Sequence, residues 1–257
     1  MSKSRRDWTR EESILAFNLY CKIPFGQISS RNPRIIELSK HIKRTPSALS
    51  MKMGNLARLD PALQSRNVQG LSHGSKLDKE IWEEFYNNWE DLAYRSELLI
   101  DKFSIPRDLD EIKEIKKPVK TESLKQVRIR LIQSFFRTTV LSGYNYTCAV
   151  CQIGTKQLLN ASHIIPWSVN KEHRADPRNG ISLCALHDRA FDRGLISFDE
   201  HYKTIISRQL SQNSLKKHNE MYRIAFIKIE GKKISLPNRF KPDPNALEYH
   251  RKNIFCG

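Results

Sequence analysis

The run DWTREESILAFNLYC (7–21) spaces Trp8, Ile14, Leu15 and Leu19 three and four residues apart, as a helix with one apolar stripe does, and Asp7 or Thr9 stands where an N-cap belongs. A Pro/Gly/Ser stretch, IPFGQISSRNP, ends it. The pattern then predicts a helix from Pro33 to near Ile42, a tight turn at Lys43 and Arg44, and a second helix capped by Thr45 with Pro46 at its first position. Ala48, Leu49 and Leu56 form the stripe of that second helix. KLDKEIWEEFYNNWEDLAYRSELLIDKF (76–103) predicts one long amphipathic helical region, with Ile81, Trp82, Phe85, Trp89, Leu92, Leu99 and Ile100 on the apolar side. That side suits a core or the contact of a homodimer. SIPRDLDEIKEIKKPVKTES (104–123) is charged, bounded by prolines, and reads as a linker.

After the linker, LKQVRIRLIQSFFRTTVLSGY predicts a helix with Val127, Leu131, Phe135 and Leu141 inward and Arg128, Arg130 and Arg137 elsewhere. The periodicity then shortens. ASHIIP, NGISLC, GLISF, KTIIS and IKIEGKKISLP read as strands, interleaved with the helical pieces LHDRAFD and NALEYHRKNIF. The mixture is α+β, in a chain divided into a helical domain (1–103), a linker (104–123) and a mixed domain (124–257).

Composition narrows the function. No apolar run approaches membrane-spanning length and the charged start has no hydrophobic segment behind it, which excludes a span or a leader and predicts an intracellular, cytoplasmic protein. Five unevenly spread cysteines argue for a reducing compartment and leave Cys148-x-x-Cys151 as a metal clip. Of the net charge of +16, residues 1–76 hold 14 Lys/Arg against 5 Asp/Glu, residues 77–110 hold 4 against 10, and residues 111–257 hold 26 against 13. Two basic blocks flanking an acidic one suit a polyanion, with double-stranded DNA as the expected partner.

In the first block Arg44, Ser47, Lys52, Asn55 and Arg58 lie off the apolar stripe, where they would reach phosphates or base edges. With the tryptophan-led first helix this resembles the Myb-like or homeodomain-like three-helix units, helix-turn-helix DNA readers; a helical hairpin that only packs is the alternative.

The chemistry concentrates between Tyr144 and Gly194: YNYTCAVCQIGTKQLLNASHIIPWSVNKEHRADPRNGISLCALHDRAFDRG. A Cys-x-x-Cys knuckle is followed by a strand bearing His163, a loop ending at Asn179, a second strand, and a short helix with His187, Asp188 and Asp192. By itself a histidine between Ser162 and Ile164 equally suits a buried, hydrogen-bonded core position. The whole order resembles the ββα-metal fold of the HNH endonucleases, closest to those of restriction and genome defence in prokaryotes, and LPNRFKP and HRKNIF downstream fit the same family.

The resemblance implies a phosphodiester hydrolase. His163 would be the general base, since an imidazole titrating near neutrality can take a proton from water. Asn179 would hold the loop that orients it. One divalent cation, Mg2+ or Mn2+, would sit on the short helix at Asp188, Asp192 or His187. Ser162 departs from the family, which often places Asp, Glu or His before the base. Cys148, Cys151, Cys184 and His187 would alternatively form a structural Zn2+ site, leaving Asp188 to the catalytic ion. Arg137, Arg178, Arg189 and Arg193 are the expected phosphate contacts. Two rivals stay open: a nonspecific or RNA-directed defence nuclease, and a DNA-binding regulator with a zinc-stabilised, inactive HNH-like scaffold.

Overall fold

A computed structural model describes residues 6–66, 74–107, 124–212 and 219–257. It divides into two compact units, residues 1–135 and 136–257. Most of the expected linker, from residue 108 to 123, lies outside the described residues.

The first unit holds α1 (Arg10–Lys22), α2 (Pro33–His41), α3 (Pro46–Ala57), the single turn α4 (Pro61–Gln64), α5 (Lys76–Phe85) and α6 (Trp89–Lys102); α3, α5 and α6 pack on α1, and α2 on α3. Thr9 caps α1 through a reciprocal box with Glu12, and every residue from Glu12 to Lys22 is buried. A helix enclosed on all sides is a core element, and α1 stacks Phe17 on Trp82 at 5.0 Å. The predicted helix over 76–103 is two helices: Tyr86 ends α5, and Asn88, with φ −129° and ψ 57°, leaves helical geometry before Trp89 restarts it. Ile81, Trp82, Phe85, Trp89, Leu92, Leu99 and Ile100 are all buried, whereas Leu98 is exposed. Of the two expectations for this side, core or dimer contact, their burial fits the core.

The basic residues of this unit are largely spent inside it. Arg44 bonds Glu12 at 2.8 Å, and its guanidinium lies 4.5 Å from the Trp8 ring centre. Burial works to raise the Glu12 pKa, but hydrogen bonds from Arg44 and the Thr9 backbone and the charges of Arg44 and Arg6 hold it below the usual range. Lys52 is 2 % exposed and ion-paired with the equally buried Asp78, whose carboxylate also caps Ser75. Asn55 is half-buried beside Asp78, Arg58 is half-buried at the end of α3, and Ser47 is exposed. Arg44 and Lys52, expected off the apolar stripe, are thus paired with carboxylates distant in sequence rather than presented on the surface.

The pair makes a measurable demand. Lys52→Met, which strands a buried carboxylate, is expected to cost about 3–5 kcal/mol in urea unfolding of the full chain, and Lys52→Met with Asp78→Asn to recover most of it.

The long helix α7 (Leu124–Gly143) carries the chain across the unit boundary. In the second unit β1 (Leu159–His163) and β2 (Gly180–Cys184) form an antiparallel pair, with Leu159 opposite Cys184 and His163 opposite Gly180. Helix α8 (Ala185–Asp192) leaves β2 directly and packs on both strands. β3 (Ile196–Phe198) and β4 (Thr204–Ile206) pair next, followed by α9 (Arg208–Ser211), α10 (Glu220–Ala225) and α11 (Pro244–Asn253). The run IKIEGKKISLP is not a strand: Ile227–Ile229 is a turn of 3-10 helix and only Lys233 makes a bridge, to Lys203. Gly231, at φ 68°, reverses the chain between them.

Two glycines set close approaches. A Cβ on Gly180 would lie 2.4 Å from Val140 and 2.8 Å from Phe136, so any side chain here would push α7 off the hairpin. Gly194, at φ 65°, ends α8 where a Cβ would strike the Ile254 carbonyl at 2.0 Å. His250 closes this corner. Its Nε2 donates to the Phe191 carbonyl at 3.1 Å, its Nδ1 accepts from Ser197 at 2.9 Å, and the ring stacks on Phe191 at 3.7 Å. Burial lowers its pKa to about 4, which keeps it neutral as that pairing requires. The HRKNIF segment is thus a clamp on the end of α8.

Candidate active site

Strand alternation divides β1 between two neighbours. Leu159 and His163 face α7, where the imidazole stacks on Phe136 at 3.8 Å and 11°, while Asn160 and Ser162 face α8. His163 Nε2 lies 2.9 Å from the Arg174 carbonyl. A carbonyl only accepts, so this nitrogen carries the proton, and in the neutral ring Nδ1 keeps its lone pair. Burial lowers the His163 pKa below 6.5, partly offset by the Arg174 bond. Trp167 meets the ring edge-on at 5.5 Å, and the Arg174 guanidinium lies 4.8 Å from the Trp167 ring centre.

Asn179 is 4 % exposed and bonded on every side toward the base. Its Oδ1 accepts from Ile165 N at 2.8 Å, its Nδ2 donates to Ile165 O at 3.1 Å, and its carbonyl accepts from Ile164 N at 2.9 Å. The two residues after His163 are thereby tied to the start of β2. Buried and fully used, this amide orients backbone and holds no ion.

On α8, Asp188 and Asp192 stand one turn apart. Asp188 accepts from Asn160 Nδ2 at 2.6 Å. Burial and the Asp188 carboxylate raise the Asp192 pKa, opposed by Arg189, the Ser162 hydroxyl and Arg193. Ser162 is 3 % exposed, and its hydroxyl has no hydrogen-bond partner of normal geometry, although it acts on the Asp192 carboxylate. Two carboxylates beside a buried, unsatisfied hydroxyl form an all-oxygen donor set, which suits a hard divalent cation. One residue separates that hydroxyl from the base.

His187 points the other way. The donor atoms of Cys148, Cys151, Cys184 and His187 all lie within 4.8 Å of one another. Cys151 and Cys184 sulfurs are 3.7 Å apart, and His187 Nδ1 is 3.2 Å from Cys184 Sγ and 3.6 Å from Cys148 Sγ. Tetrahedral zinc, with Zn–S of about 2.3 Å and Zn–N of about 2.0 Å, requires edges of about 3.8 Å between sulfurs and about 3.5 Å between sulfur and nitrogen. The set therefore fits zinc. His187 Nε2 donates to the Ala225 carbonyl at 3.0 Å, the outer bond that fixes a ligating ring. Hydrogen bonds from Cys148 and Cys151 hold the Cys184 thiol far below its usual range, as a ligand thiolate needs. With Nδ1 at the sulfurs and Nε2 on the Ala225 carbonyl, His187 lies in the cysteine cluster, which favours the zinc alternative for it over the catalytic ion.

Residues 148–199 match the family model described as HNH endonuclease. This segment is an HNH endonuclease domain. No curated protein matches the chain. The HNH domain implies a divalent metal and a nucleic-acid substrate, and it spans the knuckle, β1, β2, α8 and β3. Among the arginines expected at phosphates, Arg189 and Arg193 are exposed beside Asp192. Arg137 donates to the Leu159 carbonyl at 2.8 Å, and Arg178 forks onto Asp176 at 2.5 Å, so these two brace β1 and the loop before β2. Asn160 went unnoticed in the sequence; the signal was its place two residues before Ser162, on the same face of one strand. No helix among the described residues is long and apolar enough to cross a membrane.

Proposed function

We propose that the chain is a cation-dependent DNA endonuclease of restriction or defence type, cutting phosphodiesters in the HNH domain. The observation that carries this is the imidazole of His163, anchored through Nε2, one residue from a hydroxyl that faces the Asp192 carboxylate, itself beside Asp188. His163 Nδ1 takes the proton of the attacking water, and the Arg174 carbonyl stabilises the imidazolium that forms. Asn179 keeps the ring in register, and Asp188, Asp192 and Ser162 hold the cation. That ion, Mg2+ or Mn2+, would supply charge stabilisation at the scissile phosphate. Arg189 and Arg193 position the backbone. Residues 136–257 carry 19 Lys/Arg against 10 Asp/Glu, a surplus suited to double-stranded DNA, whereas the cations of the helical unit are largely consumed by its own acids.

The test is supercoiled plasmid incubated with the full chain and Mg2+ or Mn2+. Nicking is expected with either ion, and Asp188→Asn with Asp192→Asn is expected to reduce it to the level seen in EDTA. A second reading, a DNA-binding regulator on an inactive scaffold, is favoured by Ser162 standing where relatives carry a stronger ligand. Retarded DNA without cutting in either ion would select it.

A further inference from the structure

Asn160 has a polar side chain with a short bond to one carboxylate of the acid pair, and nothing in the general chemistry of base and cation requires it. Its Nδ2 donates to Asp188 Oδ2 at 2.6 Å. The strand continues the pattern. Two residues along a strand advance about 6.7 Å and four residues along a helix about 6 Å, so β1 and α8 offer matched rungs. Asn160 meets Asp188 on the first rung, and Ser162 acts on Asp192 on the second. The second rung ends in a buried hydroxyl, 3 % exposed, that acts on the Asp192 carboxylate. The first is closed by an amide that can donate but carries no charge.

We propose that Asn160 is a positioning residue of the cation site: it pins one oxygen of Asp188, so that the carboxylate presents its other oxygen in a fixed direction beside Asp192 and Ser162. This rests on the reading of Asp188 and Asp192 as cation ligands. An unpinned Asp188 rotates about its terminal torsion and must be ordered whenever the ion binds, and outer bonds of this kind are worth roughly 10–100-fold in metal affinity. The amide also balances charge, since a neutral donor steadies the carboxylate without competing for the ion.

Leucine matches asparagine in shape and has no donor, so Asn160→Leu separates the hydrogen bond from packing. Mn2+ binding to the full chain is followed by the electron paramagnetic resonance of the free ion, which needs no catalysis, beside thermal melting without added Mn2+. Asn160→Leu and Asn160→Ala are both expected to raise the Mn2+ dissociation constant about tenfold, with melting of the leucine variant unchanged or higher. Parent-like Mn2+ binding by Asn160→Leu, or a loss confined to Asn160→Ala, overturns the proposal in favour of packing. Asp188→Asn with Asp192→Asn tests the underlying site separately. If that double variant binds Mn2+ like the parent, the cation site itself is wrong; if it loses binding while Asn160→Leu keeps it, only the role of Asn160 fails.

Discussion

His163→Ala is expected to lower metal-dependent plasmid nicking about 10²–10⁴-fold, the usual worth of a general base, while gel-shift affinity for DNA stays within a factor of a few. The effect should be this large because no second group stands in for the ring: Asn179 is used up on Ile164 and Ile165, and His187 is engaged by sulfur and by the Ala225 carbonyl. The pH profile carries the same signature. The base works unprotonated, and burial against Phe136 lowers its pKa below 6.5. Nicking should therefore hold as the pH is lowered to 6.5 and fall only below that value, toward the depressed pKa. A variant that still nicks at the parent rate would remove His163 from the chemistry, and a parent profile falling already above pH 7 would contradict the buried ring.

Stripping zinc is expected to have the largest structural effect. The purified chain should contain one zinc per molecule, and a strong chelator should abolish the cooperative melting of the HNH domain. Structural zinc in small domains is worth about 10 kcal/mol or more, which exceeds the total stability of most such domains. Cys184→Ser is expected to behave like the chelated protein, because Cys184 joins β2 to α8 and touches both Cys151 and His187. Melting insensitive to chelation, with no zinc by metal analysis, would instead make these side chains ordinary packing groups.

What was legible in the sequence followed from short-range rules. ASHIIP and NGISLC read as two strands, which the structure pairs, and a short helix with acids four residues apart was plain in LHDRAFD. The same run concealed its own ambiguity. His187 and Asp188 are neighbours in sequence but roughly 100° apart around the helix, and only the position of the knuckle shows that the first turns toward sulfur and the second toward β1. Long-range pairing was not legible at all. Arg44 and Lys52 looked free because Glu12 and Asp78 lie 32 and 26 residues away, and a basic stretch reads as a binding surface until its carboxylates are found. The break at Asn88 escaped notice because the apolar positions on either side of it keep nearly helical phase, so periodicity continued where hydrogen bonding did not. Asn160 was invisible for a plainer reason: an asparagine in a strand announces nothing until the partner across the gap is known.

The grip of His250 on the end of α8, with Cys256 N bonded to the Gly194 carbonyl, has a bearing on biosynthesis. Ribosomes deliver Asp188 and Asp192 well before residues 250–256, so a growing polypeptide holds both carboxylates for some time before it can fasten the helix that bears them. Under the proposed DNA-cutting function, that delay would confine full competence to chains whose translation has passed the clamp.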